Sequence, residues 1–192
     1  AQPPGEDDHI VFTGAMDWQA NIDGIDFFMD AIWPHVVAQR PQAHVTIVGR
    51  NPNPALVERA KRRQLPFRFT GFVDDIRPEV KGAAAYIIPL RVGGGTRIKA
   101  FEAMAMGIPV VSTALGVEGL PVTPDAHYLQ ADSSEAFAAA LVRLLSDPSL
   151  RQSLSQAARH YVEESFSSQA VARRFEAICM RTLHADSTGS AS

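Results

Sequence analysis

Short apolar runs alternating with longer segments of helical spacing constrain this chain more than any other feature. Residues 10–14 (IVFTG), 45–49 (VTIVG), 67–73 (FRFTGFV), 86–89 (YIIP) and 110–113 (VVST) are rich in β-branched and aromatic residues. They are apolar nearly throughout, the pattern of parallel strands covered on both faces. A helix is expected over 21–39, capped by Asn21, with Ile22, Ile25, Phe28, Met29, Ile32, Trp33 and Val36 along one face. Pro34 should kink it and Pro41 end it. Further helices are expected over 54–64, 76–82 and 96–106, then a loop over 114–121 and an edge strand over 127–130. From Ser133 onward, 133–146, 148–164 and 167–184 read as three helices, and 185–192 as a loose tail. The alternation implies an α/β domain: a Rossmann-like, doubly wound sheet of five or six parallel strands with C-terminal helices. Right-handed crossovers bring every strand's carboxyl end to one edge, where ligands bind.

The chain has 192 residues, enough for one domain, and a formal net charge of −3, which leaves no basic footprint for nucleic acid. Its one cysteine, Cys179, excludes a disulfide framework and a cysteine-based metal site, and suits a reducing compartment. No apolar run reaches the roughly 18–20 residues of a membrane span. The expected location is the cytoplasm or the cytoplasmic face of a membrane, with any membrane contact made by other parts of a longer protein. The opening Ala1-Gln2-Pro3-Pro4 lacks a Met, and the chain is expected to be a piece of something larger.

The most informative stretch is 87–113, IIPLRVGGGTRIKAFEAMAMGIPVVST. A strand ends, Gly93, Gly94 and Gly95 follow, and a helix is expected to open at Thr96. Successive glycines let backbone N–H groups approach an anion, and the helix end adds roughly half a positive charge. Arg97 and Lys99 fall in the first helical turn, where cations oppose the dipole. Two such choices in three residues suggest a ligand, with Arg91 a candidate to join them. The alternative is that both are surface charges, with Lys99 paired to Glu102 across a turn. Ile98, Phe101, Met104 and Ala105 are expected to form the buried face, and Glu102 is placed to accept hydrogen bonds from a ribose diol.

The run FEAMAMGIPVVST resembles the EAMA-G-PVV-T signature of group 1 (family 4) glycosyltransferases, enzymes of the GT-B fold. The preceding GGGTRIK resembles a variant of that family's loop. VTIVGR and TGFVDDI support the match by order and spacing, over about residues 10–175. The resemblance implies the C-terminal, donor-binding domain of a two-domain enzyme. Residues 1–166 would bind a nucleoside-diphosphate sugar, followed by the helix at 167–184 and the tail at 185–192, with the N-terminal acceptor domain absent. It implies metal-independent transfer of a sugar with retention of configuration and no cofactor. This piece alone would be inactive. Glu102 would hold the ribose, Gly94, Gly95 and Thr96 the diphosphate, and Gly71, Phe72 and Val73 the base. Gly14 and Gly49 would allow close approach. Arg97 and Lys99 would stabilise the departing diphosphate.

Two departures stand out. The family's first glutamate falls on Gly94, and residues 86–101 contain no Asp or Glu. The family's Arg and Lys after the first strand are also missing, since residues 9–39 contain no Lys or Arg. We therefore expect Arg97 and Lys99 to supply the missing charge. Two rival functions remain open at this point: a sugar-nucleotide epimerase of the same fold, and a non-catalytic nucleotide-binding or interaction module. His9, His35, His44, His127, His160 and His184 show no metal-ligand spacing. Asp74-Asp75 reads as a turn or helix cap rather than a metal pair. Trp18 is a candidate for stacking or for packing at the domain edge, and Asp17 for contact with the donor sugar.

Overall fold

A computed structural model describes residues 8–95 and 97–166. Six strands form one sheet: β1 His9–Thr13, β2 His44–Val48, β3 Phe67–Phe69, β4 Ala85–Ile88, β5 Val110–Ser112 and β6 Leu129–Gln130. Their order is β3-β2-β1-β4-β5-β6, with every neighbouring pair parallel. This is the doubly wound, Rossmann-like sheet that the sequence predicts. The order reverses between β1 and β4, and such a switch point opens a crevice at the carboxyl edge.

The helices are α1 Gln19–Phe27, α2 Trp33–Val37, α3 Pro54–Arg62, α4 Arg77–Val80, α5 Ile98–Ala105, α6 Ser134–Ser146 and α7 Pro148–Phe166. Pleating sends alternate strand residues to two cores. Ile10, Phe12, Ile47, Ile87 and Val111 face α1, α2 and α6, with Phe28, Trp33 and Phe137. Val11, Tyr86, Ile88 and Val110 face α5 and α7, with Ala100, Ala103 and Met104. Each fully buried large side chain contributes about 1.5–3 kcal/mol. Ser133 caps α6 through Ala136 N at 3.1 Å, and Asp147 caps α7 through Ser149 N and Leu150 N, each at 3.0 Å.

Several expectations need correction. The long first helix is broken by a π-helical turn over Phe28–Ile32, before Pro34 rather than at it. Pro34 has no N–H, and its ring would crowd the carbonyl one turn back, so the wider turn clears it. Trp18, not Asn21, is the N-cap of α1, and its side chain makes no capping bond. The third strand stops at Phe69, because Gly71 (φ +76°) turns the chain out of the sheet. The edge strand at 127–130 shrinks to two residues. α5 opens at Ile98, and its buried face is Ala100, Ala103 and Met104, while Ile98 is exposed. The predicted helix at 167–184, the tail at 185–192, Cys179, His184 and Thr96 lie outside the described residues. Among the described residues no helix is long and apolar enough to cross a membrane.

Candidate functional site

The loops after β1 and β4 meet at the switch point. Gly93 has φ +106°, and a Cβ there would lie 2.8 Å from Ala20 Cβ, so the start of α1 packs directly against the loop backbone. The space above Gly94 and Gly95 is open. On the other side, a Cβ on Gly49 would lie 1.9 Å from the Gly14 carbonyl oxygen, so the ends of β1 and β2 touch main chain to main chain. Gly71 bridges to Gly49 across the same edge. Beyond it Phe72 is 74% exposed, whereas Val73 is partly buried and packs on the core. Thr113 ties in the loop after β5, donating to Leu90 O at 2.6 Å and accepting from Gly116 N at 3.1 Å.

The two cations of the 93–99 segment go to different places. Arg97 is buried, its Nη2 donating to Gly93 O at 3.0 Å and lying 3.7 Å from the Glu118 carboxylate. It therefore shapes the glycine loop. Lys99 is partly buried, 4.4 Å from the centroid of the Phe12 ring, and its Nζ donates to Asn21 Oδ1 at 2.7 Å. Burial pushes the Lys99 ammonium down to about 8, Arg97 pushes it the same way and Glu102 opposes them. The Lys99–Glu102 ion pair does not form: among the described residues no carboxylate lies within ion-pair distance of Nζ. Glu102 is exposed one turn further on, and its carboxylate makes no hydrogen bond or ion pair among the described residues. Tyr86, beneath them, hydrogen-bonds Thr13 Oγ1, and burial raises its pKa.

Three other candidates are committed elsewhere. Arg91 does not join the cations: it donates to Asp23 at 2.7 and 3.1 Å and stacks over Phe27. Asp17 accepts from Asn51 Nδ2 at 2.7 Å, which with Arg50 nearby holds its carboxyl below the usual range. Asp75 caps the turn into α4 through Arg77 N at 2.9 Å. Trp18 is 60% exposed and with Val92 and Gly93 forms a hollow of about 250 Å³ at the crevice mouth.

A family model for group 1 glycosyl transferases matches residues 7–147. The chain belongs to the group 1 glycosyl transferases. A phosphatidyl-myo-inositol mannosyltransferase of Mycolicibacterium smegmatis is 32% identical over 152 residues, covering 77% of this chain and 39% of that protein. The chain spans less than half the length of the curated relatives it matches. The C-terminal domain of a group 1 glycosyl transferase, LpcC from Francisella tularensis, superposes with a TM-score of 0.70 at 20% identity, covering 86% of this chain and 88% of that one. S. aureus TarM, solved with UDP among its ligands, superposes at 0.73 and 14% identity over 91% of this chain and 36% of that one. These likenesses carry the GT-B glycosyltransferase fold.

The switch-point crevice is the candidate site, and a larger groove lies elsewhere. A groove of about 860 Å³ lies at the opposite edge, where Gly82 and Gly107 precede β4 and β5. Its cations are engaged: Arg77 with Asp75, Arg159 with Glu163, and Arg151 with the Leu144 and Leu145 carbonyls. Two partners of Arg97 and Lys99 had no signal in the sequence. Asn21 passed for a cap, and Glu118 sits in a loop with no pattern of its own. The only hint in the sequence is the paired absence of cations in 9–39 and carboxylates in 86–101.

Proposed function

We propose that this chain is the donor-binding half of a retaining glycosyltransferase, holding a nucleoside-diphosphate sugar while a second, N-terminal domain presents the acceptor. The carrying observation is Lys99: a desolvated ammonium at the switch-point crevice whose hydrogen-bond partner is a neutral amide. A cation kept without a counter-ion among buried groups is matched to an incoming anion. The open space over Gly94 and Gly95 gives a diphosphate room beside it, and the exposed Glu102 carboxylate lies within a turn for the ribose. Phe72 offers an apolar surface to a base.

As the bond between the sugar's anomeric carbon and the diphosphate oxygen breaks, negative charge grows on that oxygen. The Lys99 ammonium and the loop N–H groups stabilise it in place of a divalent metal. Arg97 acts through the loop by fixing the Gly93 carbonyl. The choice of sugar rests on groups other than a carboxylate at position 94. The UDP bound in TarM agrees with a nucleotide ligand for this fold.

Titration calorimetry with ADP, GDP and UDP in the presence of EDTA tests this. At least one should bind, and its sugar derivative should bind without turnover by this chain alone. Binding of none of them, or binding that appears only with a divalent metal, would overturn the assignment.

A further inference from the structure

Asn21 is 78 residues from Lys99 in sequence and touches it in space. Asn21 is 6% exposed, and both ends of its amide are engaged. Nδ2 donates to the Ala15 carbonyl at 2.8 Å, which leaves Oδ1 to accept from Lys99 Nζ at 2.7 Å. The reverse orientation would set the amide NH2 against an ammonium and its oxygen against a carbonyl, so the chemistry of the two neighbours fixes the amide. The pair lies against bare main chain: a Cβ on Gly14 would sit 2.7 Å from Asn21 Nδ2 and 3.1 Å from Lys99 Nζ.

We propose that Asn21 is the positioning residue of this site, its amide fixing the Lys99 ammonium to the β1 loop and aiming it at the phosphates of the donor. This rests on the donor-site reading given above. A lysine on a flexible stem loses rotamer freedom when it binds a phosphate, and a partner that fixes it beforehand lowers that loss. An amide does so without neutralising the charge, as a carboxylate would. An ammonium has three donors, and one bond to Asn21 leaves two for phosphate oxygens. The charged and titratable groups around Lys99 are Arg97 just before its helix, Glu102 on the helix and Tyr86 on β4, with Glu118 beyond Arg97. From β1 and α1 the contacts are Phe12, Gly14 and Asn21, none of which titrates.

The test is a double-mutant cycle on UDP and GDP affinity with the parent, Asn21→Ala, Lys99→Gln and the double variant. Asn21→Ala should weaken binding about tenfold when Lys99 is present, the scale of a hydrogen bond to a charged group. In the Lys99→Gln background the same change should alter binding by less than about twofold. A merely structural Asn21 would lower affinity equally in both backgrounds, and that result overturns the proposal. Asn21→Asp, which keeps the shape, is the second variant should Asn21→Ala fail to fold. The Lys99 side-chain titration, followed by NMR in the ligand-free protein, should move to higher pH in Asn21→Asp and to lower pH in Asn21→Ala. Unchanged midpoints overturn the pairing whether or not a nucleotide binds. A parent that binds but shows no coupling sinks the Asn21 assignment alone. A parent that binds no nucleoside diphosphate sinks the donor reading and the positioning role with it.

Discussion

Replacing Lys99 with methionine should stabilise the ligand-free protein while weakening its affinity for a nucleoside diphosphate. Burial takes the Lys99 ammonium from its ordinary 10.5 to about 8. That interval corresponds to roughly 3 kcal/mol of native-state penalty at neutral pH, an order-of-magnitude figure. Methionine keeps much of the length and the contact with Phe12 but carries no charge. It also leaves Asn21 Oδ1 without its donor, which costs about 1–3 kcal/mol. The net expectation at pH 7 is a variant between equal to the parent and about 2 kcal/mol more stable, the latter a rise of about 4–8 °C in Tm for a domain of this size.

The pH dependence has a definite sign. Below about 8 the lysine is protonated in both folded and unfolded chains, and the whole penalty is present. Between about 8 and 10.5 the folded chain releases the proton while the unfolded chain keeps it, so the parent gains stability relative to the variant as pH rises. Calorimetric melts of both proteins from pH 7 to 10 measure the gap directly. A variant more than about 1 kcal/mol less stable than the parent at pH 7 would refute the claim that this charge is held against its preference, since ordinary loss of a packed side chain gives that result.

Three further outcomes are expected. Glu102→Ala should weaken a ribonucleoside diphosphate by about 2–3 kcal/mol and leave the 2′,3′-dideoxy analogue nearly unaffected, as read by calorimetry; equal losses for both would remove the ribose contact. Gly49→Ala should lower stability by about 3 kcal/mol or more in urea denaturation, because its Cβ would lie 1.9 Å from a backbone oxygen; a loss under about 1 kcal/mol would mean the two loops part easily. Tyr86→Phe should lose about 1–3 kcal/mol by leaving buried Thr13 Oγ1 unpartnered; an unchanged denaturation midpoint would show that bond to be dispensable.

The sheet was legible because its strands are buried on both faces, so composition alone marks 10–14, 45–49, 86–89 and 110–113. The EAMA-G-PVV run was legible as helix, turn and strand because all three are fixed by local pattern, and its resemblance to the family signature pointed to the candidate site. What escaped was set by contacts distant in sequence. Asn21 reads as a cap in isolation, and only the approach of Lys99 and Ala15 shows that its amide is already engaged. Arg97 and Lys99 look equivalent as neighbours in a helix start, but Arg97 stands before the first helical residue and turns in to the Gly93 carbonyl. Helical spacing puts Ile98 on the core face, but at the first residue of α5 that spacing does not guarantee a neighbour to bury it. The π-helical turn has a local cause in Pro34, but the periodicity of its flanks conceals it.

The contact between Gly14 and Gly49 separates depth from width in this crevice. Its floor is peptide backbone, with no room for a side chain to raise or lower it. The groups beside it are side chains: Phe72 lies exposed beyond β3, and Trp18 and Val92 line the hollow at the start of α1. How far the proposed donor can sink is therefore set by strand geometry and is resistant to point substitution. How snugly it is gripped from the sides is open to change one residue at a time. A library meant to alter which ligand is accepted belongs on those side chains, and randomising the floor would mainly yield chains that do not fold.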